Sequence, residues 1–84
     1  MTDQTPSNAR QRIRGYITGT LLGGRDIEDD ENLLLSGLID SLGVMSLVAF
    51  LERTFGISIP FDEVILENFM SIDAVDDYVG KKLP

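Results

Sequence analysis

Neither cysteine nor histidine occurs anywhere in this chain of 84 residues. Without cysteine no disulfide can staple the fold, so stability has to come from packing. Losing both residue types removes the two commonest transition-metal ligands and speaks against a zinc site. It also removes every Ser-His and Cys-His nucleophile pair, which speaks against a self-contained hydrolase. Basic residues are scarce, with 7 Lys and Arg against 14 Asp and Glu and a net charge of −7. Between Asp26 and Asp77 only Arg53 is basic. Such a surface repels nucleic acid and anionic membranes and attracts a basic patch on a partner protein. No apolar run approaches the ~18 residues needed to cross a bilayer. Met1 to Asn8 is polar, unlike a secretory signal. A cytoplasmic protein is expected, with neither nucleic acid nor membrane as partner.

The length suits one domain that buries about 60% of the surface its unfolded chain exposes. Residues 1–7 read as a flexible N-terminal tail and residues 8–84 as the folded domain. Ser7 and Asn8 are candidate caps for a first helix over residues 8–22, whose apolar residues Ala9, Ile13, Tyr16, Ile17 and Leu21 recur at helical spacing. Gly23 and Gly24 end it. An acidic connection then runs to Asp40, carrying Asp26, Glu28, Asp29, Asp30 and Glu31 before Leu33, Leu34 and Leu35. Unstructured loops of that length are uncommon in compact domains. Some of the leucines, with Leu38 or Ile39, must therefore reach the core. The acidic run lacks the glycine and terminal glutamate of a calcium loop.

A second helix is capped by Asp40 and stopped at Gly56. Its wheel turns Val44, Leu47, Val48, Leu51 and Phe55 inward, and Leu42, Met45, Ser46, Ala49, Glu52 and Arg53 outward. Ile57-Ser58-Ile59 reads as extended and Pro60 closes it. Asp62 is a candidate cap for a short helical turn through Leu66. Ser71 caps a last helix with Ile72, Val75, Tyr78 and Val79 inward and Lys81 and Lys82 near its C-terminal dipole. The fold class is all-α, a four-helix bundle with a long first loop and a short third helix. Asp76 and Asp77 are adjacent and point to different faces, so they form no acid–base pair. No enzymatic activity is expected.

The segment Gly37-Leu38-Ile39-Asp40-Ser41-Leu42 places a hydroxyl at the first turn of a helix, where unpaired N–H groups tolerate negative charge. By itself Asp-Ser is also an ordinary helix start that needs no function. The segment nevertheless resembles the attachment motif of acyl carrier proteins, in which an Asp-Ser-Leu step opens the second helix. The resemblance continues through Leu47, Leu51, Glu52 and Phe55-Gly56-Ile57, then Ile59-Pro60, to Ile72, Val75 and Tyr78-Val79. It implies a bundle of acyl-carrier-protein type and a covalent 4'-phosphopantetheine arm on Ser41, taken from coenzyme A through a separate phosphopantetheinyl transferase. It further implies cargo held as a thioester, which would give a cysteine-free protein its thiol chemistry.

Fatty-acid carriers usually show an acidic second helix. Here Gly43, Val44 and Ser46 lie near Ser41, and the outer face is partly apolar. That resembles carriers of aminoacyl or peptidyl cargo. Asp40, Leu42, Met45, Ser46 and Ala49 are the expected partner-binding residues, facing an acyl- or aminoacyl-loading ligase and a downstream synthase or transferase. No catalytic domain is fused within the chain, so a monomer serving separate enzymes by transient docking is expected. A cofactor-free acidic helical interaction module is the alternative, and Ser41 is the residue it would not need.

Overall fold

A computed structural model describes the backbone of residues 6–83 and the side chains from Ala9 to Leu83. Of the expected tail, Met1–Thr5 lie outside the described residues. The elements are α1 (Pro6–Gly15), α2 (Ser41–Phe55), α3 (Leu66–Phe69) and α4 (Ile72–Lys82). A π-helical turn, Tyr16–Leu21, extends α1, and a 3-10 turn, Phe61–Glu63, precedes α3. This is the all-α bundle with a long first loop and a short third helix that the periodicity predicts. Among the described residues no helix is long and apolar enough to cross a membrane.

α1 starts earlier than residue 8, so Ser7 and Asn8 lie within it instead of capping it. Pro6 is tolerated there because the first helical turn has no use for its missing N–H. Ala9, Ile13 and Ile17 are fully buried along one stripe. Beyond Gly15 the helix widens. The Thr18 hydroxyl donates to the Arg14 carbonyl at 2.8 Å, competing with the regular ladder. The Leu22 N–H then reaches the Ile17 carbonyl at 2.9 Å.

In α2 the Asp40 carboxylate accepts from the Gly43 N–H at 2.9 Å, and Gly56 takes the left-handed conformation at φ 67° that ends the helix. Leu47, Val48, Leu51 and Phe55 are buried as predicted, with Val44 half-buried against the same core. Glu52 departs from its predicted outward role: its carboxylate accepts from the Ile59 N–H at 2.9 Å and anchors the extended strand-like segment after α2.

The single short helix predicted from Asp62 through Leu66 is instead two pieces. Pro60 and not Asp62 occupies the cap position of the 3-10 turn. Val64 and Ile65, both β-branched, leave helical geometry between the pieces. The break drives Phe69 into the core, where its ring lies 5.5 Å from that of Tyr78. α4 follows as predicted, with the Ser71 hydroxyl accepting from the Ala74 N–H at 3.1 Å.

The long connection is tied down along its whole course. Ile27, Leu33 and Ile39 enter the core, Leu34 and Leu38 pack partly against it, and Leu35 stays exposed. Backbone bonds join the Leu33 N–H to the Met70 carbonyl at 2.7 Å and the Asp73 N–H to the Asp29 carbonyl at 2.9 Å. The Asn32 carboxamide accepts from the N–H groups of Leu34 and Leu35 at 3.1 and 2.8 Å, closing the turn between them.

Two arginines of α1 use much of the acidic run. Arg10 contacts Asp29 at 3.0 Å, Asp73 at 2.5 Å and Asp76 at 2.9 Å, joining α1, the connection and α4. Arg14 pairs with Asp26 at 2.8 Å and with Asp29, and donates to the Ile27 carbonyl at 2.9 Å. Arg14, then Arg10, hold the Asp29 carboxyl below its ordinary range. Asp76 goes the other way. Burial pushes it up against the pull of Arg10, Asp73 and Asp77 add to the push, and its Oδ1 is buried without a hydrogen-bond partner.

The two carboxylates give opposite pH dependence. Asp29, depressed in the fold, contributes stability present above its ordinary value of 3.8 and lost as pH falls through its lower folded value. Asp76, raised in the fold, opposes folding when ionised and ceases to do so as pH falls from 7 through its folded value. Chemical denaturation should therefore show stability rising on mild acidification and falling below about pH 4. Asp76→Asn should remove its part of the rise, and a carboxyl NMR titration should find Asp76 above and Asp29 below the ordinary aspartate range.

Candidate functional site

The segment before α2 is shaped by what it must fit between. Gly37 adopts φ +80°, and its N–H bonds the Leu34 carbonyl at 3.2 Å, reversing the chain. Ile39 drops into the core and its N–H reaches the Leu33 carbonyl at 3.0 Å. Asp40 is extended and Ser41 is the first helical residue, with an exposed side chain. Gly43 lets α2 sit directly on Ile39, since a Cβ at position 43 would lie 2.6 Å from Ile39 Cγ2.

Ser41 stands at the rim of a groove of about 630 Å³ between the start of α2 and the chain leading into α3. Asp40, Ser41, Val44 and Met45 form one side; Phe61, Val64, Ile65 and Leu66 form the other, with Phe69 behind. Among the described side chains Ser41 is the serine on this groove. Ser71 is buried, and Ser36, Ser46 and Ser58 are exposed away from it.

The sequence-predicted residues thus divide. Asp40, Ser41 and Met45 share the groove, whereas Leu42, Ser46 and Ala49 lie on the exposed outer face of α2. Leu42 is 77% and Met45 49% exposed. Tyr16 backs that face: its ring stacks on Phe50 at 4.1 Å and its hydroxyl donates to the Ser46 carbonyl at 3.3 Å. The far wall was missed by sequence reasoning. Phe61 is 84% exposed, and Ile65 and Leu66 are nearly half exposed. An aromatic residue directly after Ile59-Pro60, in an otherwise polar turn, was the available signal.

Residues 11–79 match the sequence family described as phosphopantetheine attachment site. The chain belongs to that family. A comparison with curated proteins finds no significant match. Members are carriers of a covalently attached 4'-phosphopantetheine, which is this chain's cofactor, and they work with transferases and synthases. The match sets aside the cofactor-free interaction module that composition alone allowed.

The residues present fit such a group. An exposed primary hydroxyl at a helix start suits a phosphodiester, and a mainly apolar groove beside it suits a flexible pantetheine chain. When bound, the arm supplies a terminal thiol on which cargo is held as a thioester.

Geometry at Gly43 yields a test. Glycine to alanine inside a helix ordinarily gains about 1 kcal/mol. Here the added methyl would overlap the buried, β-branched Ile39, and overpacking costs about 1–3 kcal/mol. Gly43→Ala should therefore lower stability by about 1 kcal/mol in urea denaturation. A gain in stability would mean that Ile39 does not hold α2 as described.

Proposed function

We propose that Ser41 is the attachment point, and that the domain spanning residues 8–84 carries aminoacyl or peptidyl cargo for separate cytoplasmic enzymes as a monomer. The observation that carries the reading is the exposed Ser41 hydroxyl on the first turn of α2 at the rim of the apolar groove. Ser41 Oγ takes the phosphopantetheinyl group as the pyrophosphate bond of coenzyme A breaks, adenosine 3',5'-bisphosphate leaves and the hydroxyl proton passes to the transferase, so Ser41 is an attachment point, not a catalytic nucleophile. Its neighbour Asp40 is engaged with the Gly43 N–H, and the chain has no histidine to serve as a base. Activation of the hydroxyl accordingly belongs to the transferase.

The cargo class rests on the outer face of α2. Between Ser41 and Arg53 its one carboxylate, Glu52, is turned to the Ile59 N–H, so little charge is left there for a basic enzyme to grip. Leu42, Met45 and Ala49 instead offer a compact apolar patch next to Ser41, with Asp40 and Ser46 at its edge. Docking surfaces concentrate their energy in such patches. A loading ligase and a downstream synthase or transferase are the partners this face suits. Long-range steering falls to the exposed carboxylates of the first connection and is weakened by salt.

Two experiments test the reading. Coexpression with a broad-specificity phosphopantetheinyl transferase should add the mass of one phosphopantetheine to the wild type and nothing to Ser41→Ala. Modification persisting in Ser41→Ala would contradict the attachment point. Met45→Asp should accept the arm and keep its circular dichroism, yet lose most thioester formation with the natural loading enzyme. Normal loading of folded Met45→Asp, together with failure after neutralising Glu28, Asp30 and Glu31, would point to a charge-read carrier of fatty-acid type.

A further inference from the structure

The groove's far wall is held in an unusual way. Ile59 and Phe69 are both core residues, but the stretch 60–68 between them contains no fully buried side chain. Among the described residues, the polar side-chain bonds tying that stretch to another element converge on Glu63. Its Oε1 accepts from the Tyr78 hydroxyl at 2.5 Å and pairs with Lys82 Nζ at 2.8 Å, both on α4. Its carbonyl accepts from Asn68 Nδ2 at 2.9 Å, joining the 3-10 turn to α3. Lys82 Nζ also lies 5.7 Å from the centre of the Tyr78 ring.

We propose that Glu63, held by Tyr78 and Lys82, is the latch that sets the position of the groove's outer wall, with Ile59 and Phe69 as its hinges. The wall residues Phe61, Val64, Ile65 and Leu66 all lie between those hinges, and Glu63 sits in their midst. Without the latch, partial packing of Val64 is the main remaining restraint on a stretch that otherwise faces solvent. Such weakly buried segments open locally at low free energy while the rest of a domain stays folded. Lys82, then Tyr78, hold the Glu63 carboxyl below its ordinary range, and burial and Glu63 push the Tyr78 hydroxyl up. At neutral pH the acceptor therefore stays ionised and the donor protonated. The functional meaning rests on Ser41 as attachment point, because the wall then governs what lies beside the arm.

Amide hydrogen exchange of the full chain tests the latch, and it needs no modification of Ser41. Failure of the latch and failure of the attachment reading are thus separate results. Tyr78→Phe keeps the ring against Phe69 and removes only the donated bond. Exchange at Val64–Phe69 should accelerate on the order of tenfold, by a clearly larger factor than at Leu47–Leu51 in the same sample. Glu63→Gln keeps an acceptor for Tyr78 and removes the charge facing Lys82, so its acceleration should be smaller and confined to the same stretch. No acceleration at 64–69, or one matched at Leu47–Leu51, would overturn the proposal. Should Tyr78→Phe fail to fold, the same criteria applied to Glu63→Gln decide it.

Discussion

Burial of the first connection is the constraint on which the rest of the structure depends. Ile27, Leu33 and Ile39 carry it into the core at three points, and the Leu33–Met70 backbone bond fastens its middle to the end of α3. An irregular segment can lie against a core only if its backbone groups find partners. Here the Met70 carbonyl, the Asp73 N–H, the Arg14 guanidinium and the Asn32 side chain supply them. The last anchor, Ile39, stands two residues before Ser41. Its seat under Gly43 leaves Asp40 and Ser41 facing outward at the head of α2. The exposed hydroxyl is thus fixed by buried neighbours, which is what presentation to a separate enzyme requires.

Charge is divided between two tasks. Asp29, Asp73 and Asp76, with the exposed Asp26, pair with Arg10 and Arg14 and knit α1 to the connection and α4. Pairs this open to solvent contribute about 1 kcal/mol or less each, so their role is more to fix register than to supply stability. The incomplete pairing of Asp76 fits that view, since one of its oxygens is buried without a partner. Glu28 and Asp30 remain exposed and keep that end of the molecule negative. The outer face of α2 is left nearly free of charge, an arrangement suited to steering at a distance and apolar contact on docking.

Regular elements were legible in the sequence because each carries its own signals. α2 has an apolar stripe, an Asp40 cap and a Gly56 stop, and all three appear where the pattern puts them. α4 is equally plain, from the Ser71 cap to the inward Tyr78 and Val79. What escaped reading is non-local. Nothing in the sequence marks Arg10 and Arg14 as ion-pair hubs, because pairing with residues up to 66 positions away leaves no local signal. The widened turn after Gly15 depends on one hydroxyl, and the split between Phe61–Glu63 and Leu66–Phe69 on where Phe69 could be buried. Of the site, the α2 side was readable from Asp40-Ser41-Leu42. The opposing wall was not: Phe61, Val64 and Ile65 stand at helical spacing, but the helix breaks between Phe61–Glu63 and Leu66–Phe69, and that break decides which of their side chains face the groove.

The account's central claim is that the arm is borne by the hydroxyl heading α2 and by no other. Five further serines occur in the chain, and Ser36, on the connection leading to α2, is exposed as Ser41 is. Fragmentation mass spectrometry of proteolytic peptides from the modified wild-type protein separates them directly. The account predicts that phosphopantetheine resides wholly on the fragment ions containing Ser41. Its presence on Ser36, or its spread over several serines, would contradict it.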